Sequence, residues 1–114
     1  MTVEKIITKA RRIINDTEEP YRWGNDELRD ALQDGINALH AIRPATRYVN
    51  GLLTDGVTLP AADAADQSFP IDVRFEEALV FYVCYKCYLD DYTDTVNQNL
   101  AESYLGKFNT KAQL

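Results

Sequence analysis

Soft metal ligands are scarce in this chain, which has two cysteines and one histidine in 114 residues. A closed four-ligand zinc site cannot be filled from that set without carboxylates. The five glycines form no phosphate-cradling loop, and neither a nucleophile elbow nor the two-histidine metalloprotease helix motif occurs. No cofactor, metal or catalytic residue is therefore expected, and a small enzyme ranks last among the functional readings. No apolar run approaches the roughly 20 residues of a membrane helix. Met1-Thr2-Val3-Glu4-Lys5 carries charge at once, so neither a signal peptide nor a membrane anchor is expected. Synthesis in a cytoplasm, with both thiols reduced, follows from that reading. A basic excess is also missing. The formal net charge is −6, and all of the excess lies in residues 48 to 114, where four Lys/Arg face ten Asp/Glu. Such a balance is wrong for wrapping DNA, although it suits a surface that DNA passes without sticking.

The chain does carry helical periodicity. A 46% hydrophobic and 26% charged composition is that of one folded domain, residues 1 to 114. The expected architecture is all-α and four-helix bundle-like, with helices at about 2–15, 25–43, 73–90 and 95–110. In the first, capped by Thr2, the residues Val3, Ile6, Ile7, Ala10, Ile13 and Ile14 form the apolar stripe, leaving Lys5, Lys9, Arg11 and Arg12 to solvent or a partner. Asn15 to Pro20 breaks that helix. Asn25 is expected to cap the second, which buries Leu28, Ala31, Leu32, Gly35, Ile36, Leu39 and Ile42 and stops before Pro44. Gly35 inside it points to a close helix crossing, and His40 to a surface or hydrogen-bonded residue rather than a ligand. The third helix, led in by Asp72, is the organising element: from Ala78 to Leu89 its only charge is Lys86, so other helices must surround it. Val96, Leu100, Ala101, Tyr104, Leu105 and Phe108 mark the fourth, with a frayed end from Asn109 to Leu114.

Between the second and third helices, residues 44 to 71 read as an irregular crossover. A short β-hairpin turning at Asp55-Gly56 is expected there, followed by a mobile acidic loop or a short helical turn over residues 61 to 68.

Four constellations bear on chemistry. Cys84-Tyr85-Lys86-Cys87 has redox-pair spacing, but it lies mid-helix among aromatics, where two small core residues are the plainer reading. Asp90, Asp91 and Asp94 are a solvated acidic corner or a weak divalent-cation site. The basic residues of the first half are interleaved with as many acids, which suits a mixed interface better than DNA. Tyr82, Tyr85 and Tyr88 point three ways from the central helix. Either they meet another subunit, or they close the core with outward hydroxyls.

Three stretches together resemble a known family. Residues 10 to 16 (Ala-Arg-Arg-Ile-Ile-Asn-Asp), residues 20 to 28 with Tyr21-Arg22-Trp23 before an acidic helix start, and residues 34 to 44 ending in Arg43-Pro44 are similar to the N-terminal half of tailed-bacteriophage head-to-tail connector (adaptor) proteins. Residues 78 to 88, followed by Asp90-Asp91, resemble the helix near their C-terminus. The likeness covers roughly residues 2 to 44 and 70 to 108. Longer relatives carry a β-rich insertion where this chain has only its crossover. The resemblance implies a virion neck protein, made in the host cytoplasm, that assembles as a ring, commonly a dodecamer, beneath the portal protein. A stopper or tail protein would bind below, and genomic DNA would pass through without specific binding. On that footing Asp55, Asp63 and Asp66 are candidate channel acids. Tyr82, Tyr85, Tyr88, Arg22, Trp23, Lys107, Phe108 and Leu114 are candidate interface residues, with the segment from Lys107 to Leu114 ordering on the portal. The alternative is a cytoplasmic helical interaction or regulatory module.

Overall fold

The computed structural model describes residues 1 to 90 and 95 to 113, with the backbone alone at Asp90 and Thr95. Leu114, the expected turn at Tyr92-Thr93-Asp94 and the acidic corner at Asp91 and Asp94 lie outside the described residues. Four α-helices dominate: α1 (Val3–Ile13), α2 (Asn25–Ile42), α3 (Glu76–Asp90) and α4 (Thr95–Ala112). A two-stranded antiparallel sheet, β1 (Tyr48–Val49) and β2 (Leu52–Leu53), stands between α2 and α3.

Helix α3 is the spine, packed against α1, α2 and α4. Ala78, Leu79, Val80, Val83, Cys84 and Cys87 are all buried along it, as its lack of charge demands. A single-turn 3-10 segment at Val73–Phe75 leads into it, capped by the Asp72 carboxylate, which accepts from the Arg74 N–H at 3.0 Å. Helix α1 begins as expected, with Thr2 Oγ1 accepting from the Lys5 N–H at 3.1 Å. Its stripe differs from the periodic reading at two positions. Ile13 is exposed, whereas Arg11, assigned to solvent, is buried. Helix α2 is capped by Gly24, with Asn25 as its first residue rather than its cap, because the Asn25 side chain is taken by Arg11.

Gly35 marks the close crossing of α2 over α3. A Cβ at this position would stand 3.0 Å from Cδ1 and 3.2 Å from Cγ of Tyr82, so any larger residue would push the ring a few tenths of an ångström off the helix.

The hairpin is real, but it turns at Asn50-Gly51. Both residues have positive φ, 52° and 80°, the pair of values a two-residue type I′ turn requires, and Asn-Gly is the dipeptide that adopts it most readily. Register pairs Tyr48 with Leu53 and Val49 with Leu52. Asp55-Gly56, where the turn was expected, instead leads the chain into an extended run against α2.

The crossover is tied down along its length. On one edge of α2, residues 29, 33 and 40 line up, since spacings of four and seven return to the same side of a helix. The Arg29 guanidinium donates to the Pro60 carbonyl. Gln33 acts like a neighbouring strand, its Nε2 donating to the Val57 carbonyl at 2.9 Å and its Oε1 accepting from the Leu59 N–H at 3.0 Å. His40 Nε2 accepts from the Val57 N–H at 3.0 Å. Val57 and Leu59 are thereby buried in the core. Residues 61 to 68 contain a 3-10 turn at Ala62–Ala64, and the Ala65 carbonyl accepts from the Glu4 N–H at 3.0 Å, joining this loop to the start of α1.

The C-terminal expectation is also corrected. Helix α4 continues to Ala112, which is fully buried, and Arg43 Nε donates to the Ala112 carbonyl at 2.8 Å. An arginine there satisfies an orphan carbonyl and complements the negative end of the helix dipole.

Candidate interaction surfaces

Residues selected from the sequence fall in three separate places. The first is the loop before α2. Helix α1 closes with Asn15 in the left-handed conformation (φ 58°) and the Asp16 N–H bonded to the Arg11 carbonyl at 2.9 Å. That turn delivers the Asp16 carboxylate inward, where Oδ2 receives Arg11 Nη1 at 2.8 Å and the Trp23 N–H at 3.2 Å. Oδ1 receives the Arg22 N–H at 2.9 Å. Arg11 Nη2 donates to Asn25 Oδ1 at 2.7 Å, and the Tyr21 ring lies 3.8 Å over the Arg11 guanidinium. The conspicuous Tyr21-Arg22-Trp23 sequence is thus a fold clamp. Trp23 is buried, whereas Arg22 stays exposed with its guanidinium 4.7 Å over the indole ring.

The second place is the seam between α3 and α4. Tyr82 meets Phe108 edge-on at 4.9 Å and Tyr85 at 5.3 Å, and Tyr88 stacks on Tyr104 at 5.7 Å. All three tyrosines are half-buried. Burial raises the hydroxyl pKa of Tyr82 and Tyr88, with Lys86 pulling Tyr82 the other way. Phe108, a candidate interface residue from the sequence, is 1% exposed and lies in the core. Its neighbour Lys107 is exposed, with its ammonium 4.7 Å over Tyr104. The two cysteines belong here as well. Both are buried and reduced, and burial pushes the Cys84 thiol up to about 12, so the thiolate needed for redox chemistry is essentially absent at neutral pH.

The third place is the crossover. Asp55, Asp63 and Asp66 are all exposed. They do not converge. Asp55 shares a hollow with His40 near the C-terminal end of α2, whereas Asp63 lies on the turn whose neighbours Ala62 and Ala65 face Asn25 and Asp26 at the other end. The acids are strung along α2, whose own Asp26, Glu27, Asp30 and Asp34 are also exposed. Charge is partitioned by face rather than by chain half. Lys5 and Lys9 of α1 approach the buried Glu76 at 3.8 and 3.2 Å, with Arg12 and Arg74 nearby, which gives the α1–α3 side a basic rim.

One surface was not visible from periodicity. The hairpin exposes Tyr48 (54%) and Leu53 (58%), cross-strand partners on one face, and Leu52 (72%) on the other. Single exposed leucines are ordinary, but three large apolar side chains exposed on four strand residues make the hairpin a candidate interaction surface. Elsewhere, α1 and α3 frame a groove of about 490 Å³ floored by Ile13, Val73, Val80 and Phe81, and Arg74 on its rim also lines the hollow beside Tyr48. Among the described residues, no group of three or more His, Cys, Asp or Glu is arranged to hold a metal ion, and no helix is long and apolar enough to cross a membrane. Compared with family models, with curated proteins and with solved structures, the chain matches none of them.

Proposed function

We propose that the protein is a structural subunit of a phage neck, a helical bundle-like adaptor that assembles as a ring beneath the portal and joins head to tail. The observation that carries this reading is the exposed apolar hairpin, Tyr48, Leu52 and Leu53, at the start of a crossover whose Val57 and Leu59 are hydrogen-bonded to α2. A two-stranded ribbon gains little stability by itself, so an apolar one presented to solvent makes sense as an arm for another protein. The α1–α3 groove is a second, unlike apolar surface. Contacts between unlike faces run head to tail, and such contacts form a ring when the rotation from subunit to subunit closes. The sequence resemblance supplies the biological setting.

The test is assembly on the portal protein of the same virion, followed by mass measurement. Leu52→Asp with Leu53→Asp is expected to abolish ring formation while changing stability by no more than about 0.5 kcal/mol, since both side chains are exposed. A double variant that still forms rings removes the hairpin from the proposal.

The acids Asp55, Asp63 and Asp66 face the DNA channel in this reading, where like charge keeps the phosphate backbone from adhering. Lysine at all three positions is expected to slow DNA ejection from assembled particles. Ejection at the unchanged rate sinks the channel assignment.

A further inference from the structure

The structure assigns His40 a second role beyond holding the fold: we propose that it is a proton-operated latch on the crossover that carries the hairpin. A backbone N–H can only donate, so the 3.0 Å contact from the Val57 N–H requires a bare lone pair on His40 Nε2. The ring proton then sits on Nδ1, which donates to Thr46 Oγ1 at 2.6 Å, and the Thr46 hydroxyl passes its own hydrogen on to the Arg43 carbonyl at 2.7 Å. The Val57 N–H, which can only donate, fixes the tautomer, and the Thr46 hydroxyl accepts from Nδ1 because its own hydrogen goes to the Arg43 carbonyl.

Protonation of Nε2 removes the acceptor and sets two donors, Nε2–H and the Val57 N–H, against each other. The Val57 N–H cannot turn away while the Gln33 contacts to the Val57 carbonyl and the Leu59 N–H hold the same strand, so the extended run must shift as a unit. Arg47 opposes a second positive charge beside it. Burial and Arg47 both lower the His40 pKa. Among the described residues, the charged groups lining the hollow around the ring are Arg47 from the 3-10 turn after α2 and Asp55 from the crossover, with none from α1, α3 or α4. Asp55 precedes Val57 by two residues and is the acid placed to receive the new Nε2–H once the strand moves. Gly56, at φ 156° with no side chain against the imidazole, is the pivot between them.

The sign follows from the neutral folded form. A histidine whose pKa is lower folded than unfolded contributes stability that is complete above the unfolded value, 6.5, and is lost as pH falls through the folded one. The latch is closed at neutral pH and released in acid.

Two measurements on the intact chain test it. Nitrogen NMR of the imidazole at about pH 7.5 is expected to show Nε2 unprotonated and Nδ1 bearing the hydrogen. Amide exchange, corrected for its intrinsic pH dependence, is expected to show Val57 and Leu59 losing about tenfold in protection between about pH 7.5 and about pH 5 while α3 keeps its own. His40→Gln is expected to abolish that difference. An Nε2–H tautomer at neutral pH, or protection at Val57 that tracks α3 across the range, overturns the proposal, and both readings come from the unaltered protein.

Discussion

Asp16→Ala is expected to lower the unfolding free energy by about 3–5 kcal/mol, the range found when one partner of a buried ion pair is removed. The Asp16 and Arg11 side chains are 8% and 7% exposed. Deleting the carboxylate leaves the guanidinium without its counter-charge in a site that water scarcely reaches. It also takes the acceptor from the Arg22 and Trp23 N–H groups, so the entrance to α2 loosens together with the ion pair. Asp16→Asn keeps an acceptor for one amide but loses the charge, and is expected to fall between the two. Urea unfolding of the three proteins provides the measurement, and a loss below about 1 kcal/mol for Asp16→Ala would show that the clamp is not a stabilising element. These residues shape the entrance to α2.

Phe108→Ala is expected to cost about 3–5 kcal/mol, the usual range for deleting a buried aromatic ring. Phe108 fills the space between α3 and α4 against the Tyr82 ring, which itself lies on Gly35, so its loss opens a cavity at the junction of three helices. Lys107→Ala, one residue away, is expected to cost less than about 1 kcal/mol, because its cation–π contact to Tyr104 is exposed. Thermal denaturation separates the two, and near-equal losses would contradict the assignment of Phe108 to the core.

The buried faces of α1 and α2 were legible because an amphipathic helix writes its orientation into the spacing of apolar residues. Both ends of α1 were legible too, from Thr2 and from the helix-breaking run after Ile14. Arg11 was misread by the same logic. Periodicity assigns every cation to solvent, and nothing local says that an aspartate five residues on will turn inward to meet it. The hairpin turn was misplaced although its signal, Asn50-Gly51, was present; Asp55-Gly56 carries an equally good local signal, and only pairing distinguishes them. The clamp of Arg29, Gln33 and His40 had a signal in its spacing on α2, yet polar residues at a helix edge look the same whether they face water or an extended strand.

Helix α3 shows most plainly where the two kinds of information divide. The sequence by itself determined that the third helix, whose only charge from Ala78 to Leu89 is Lys86, has to be enclosed, because leaving that much apolar surface in water is not an available state for a folded chain. It also determined that the cysteines within it lack the partners for a metal site. Only the tertiary structure decided what encloses it: α4 along the tyrosine side, α2 at Gly35, and α1 at Ala10, whose carbonyl lies 3.9 Å from Cys84 Sγ. It alone decided that a chain with a neutral first half presents a basic edge on α1 and an acidic edge on α2. The reason is that helix-forming tendency and burial are properties of neighbouring residues, whereas the partner of a face and the sign of a surface depend on which distant segments are brought together.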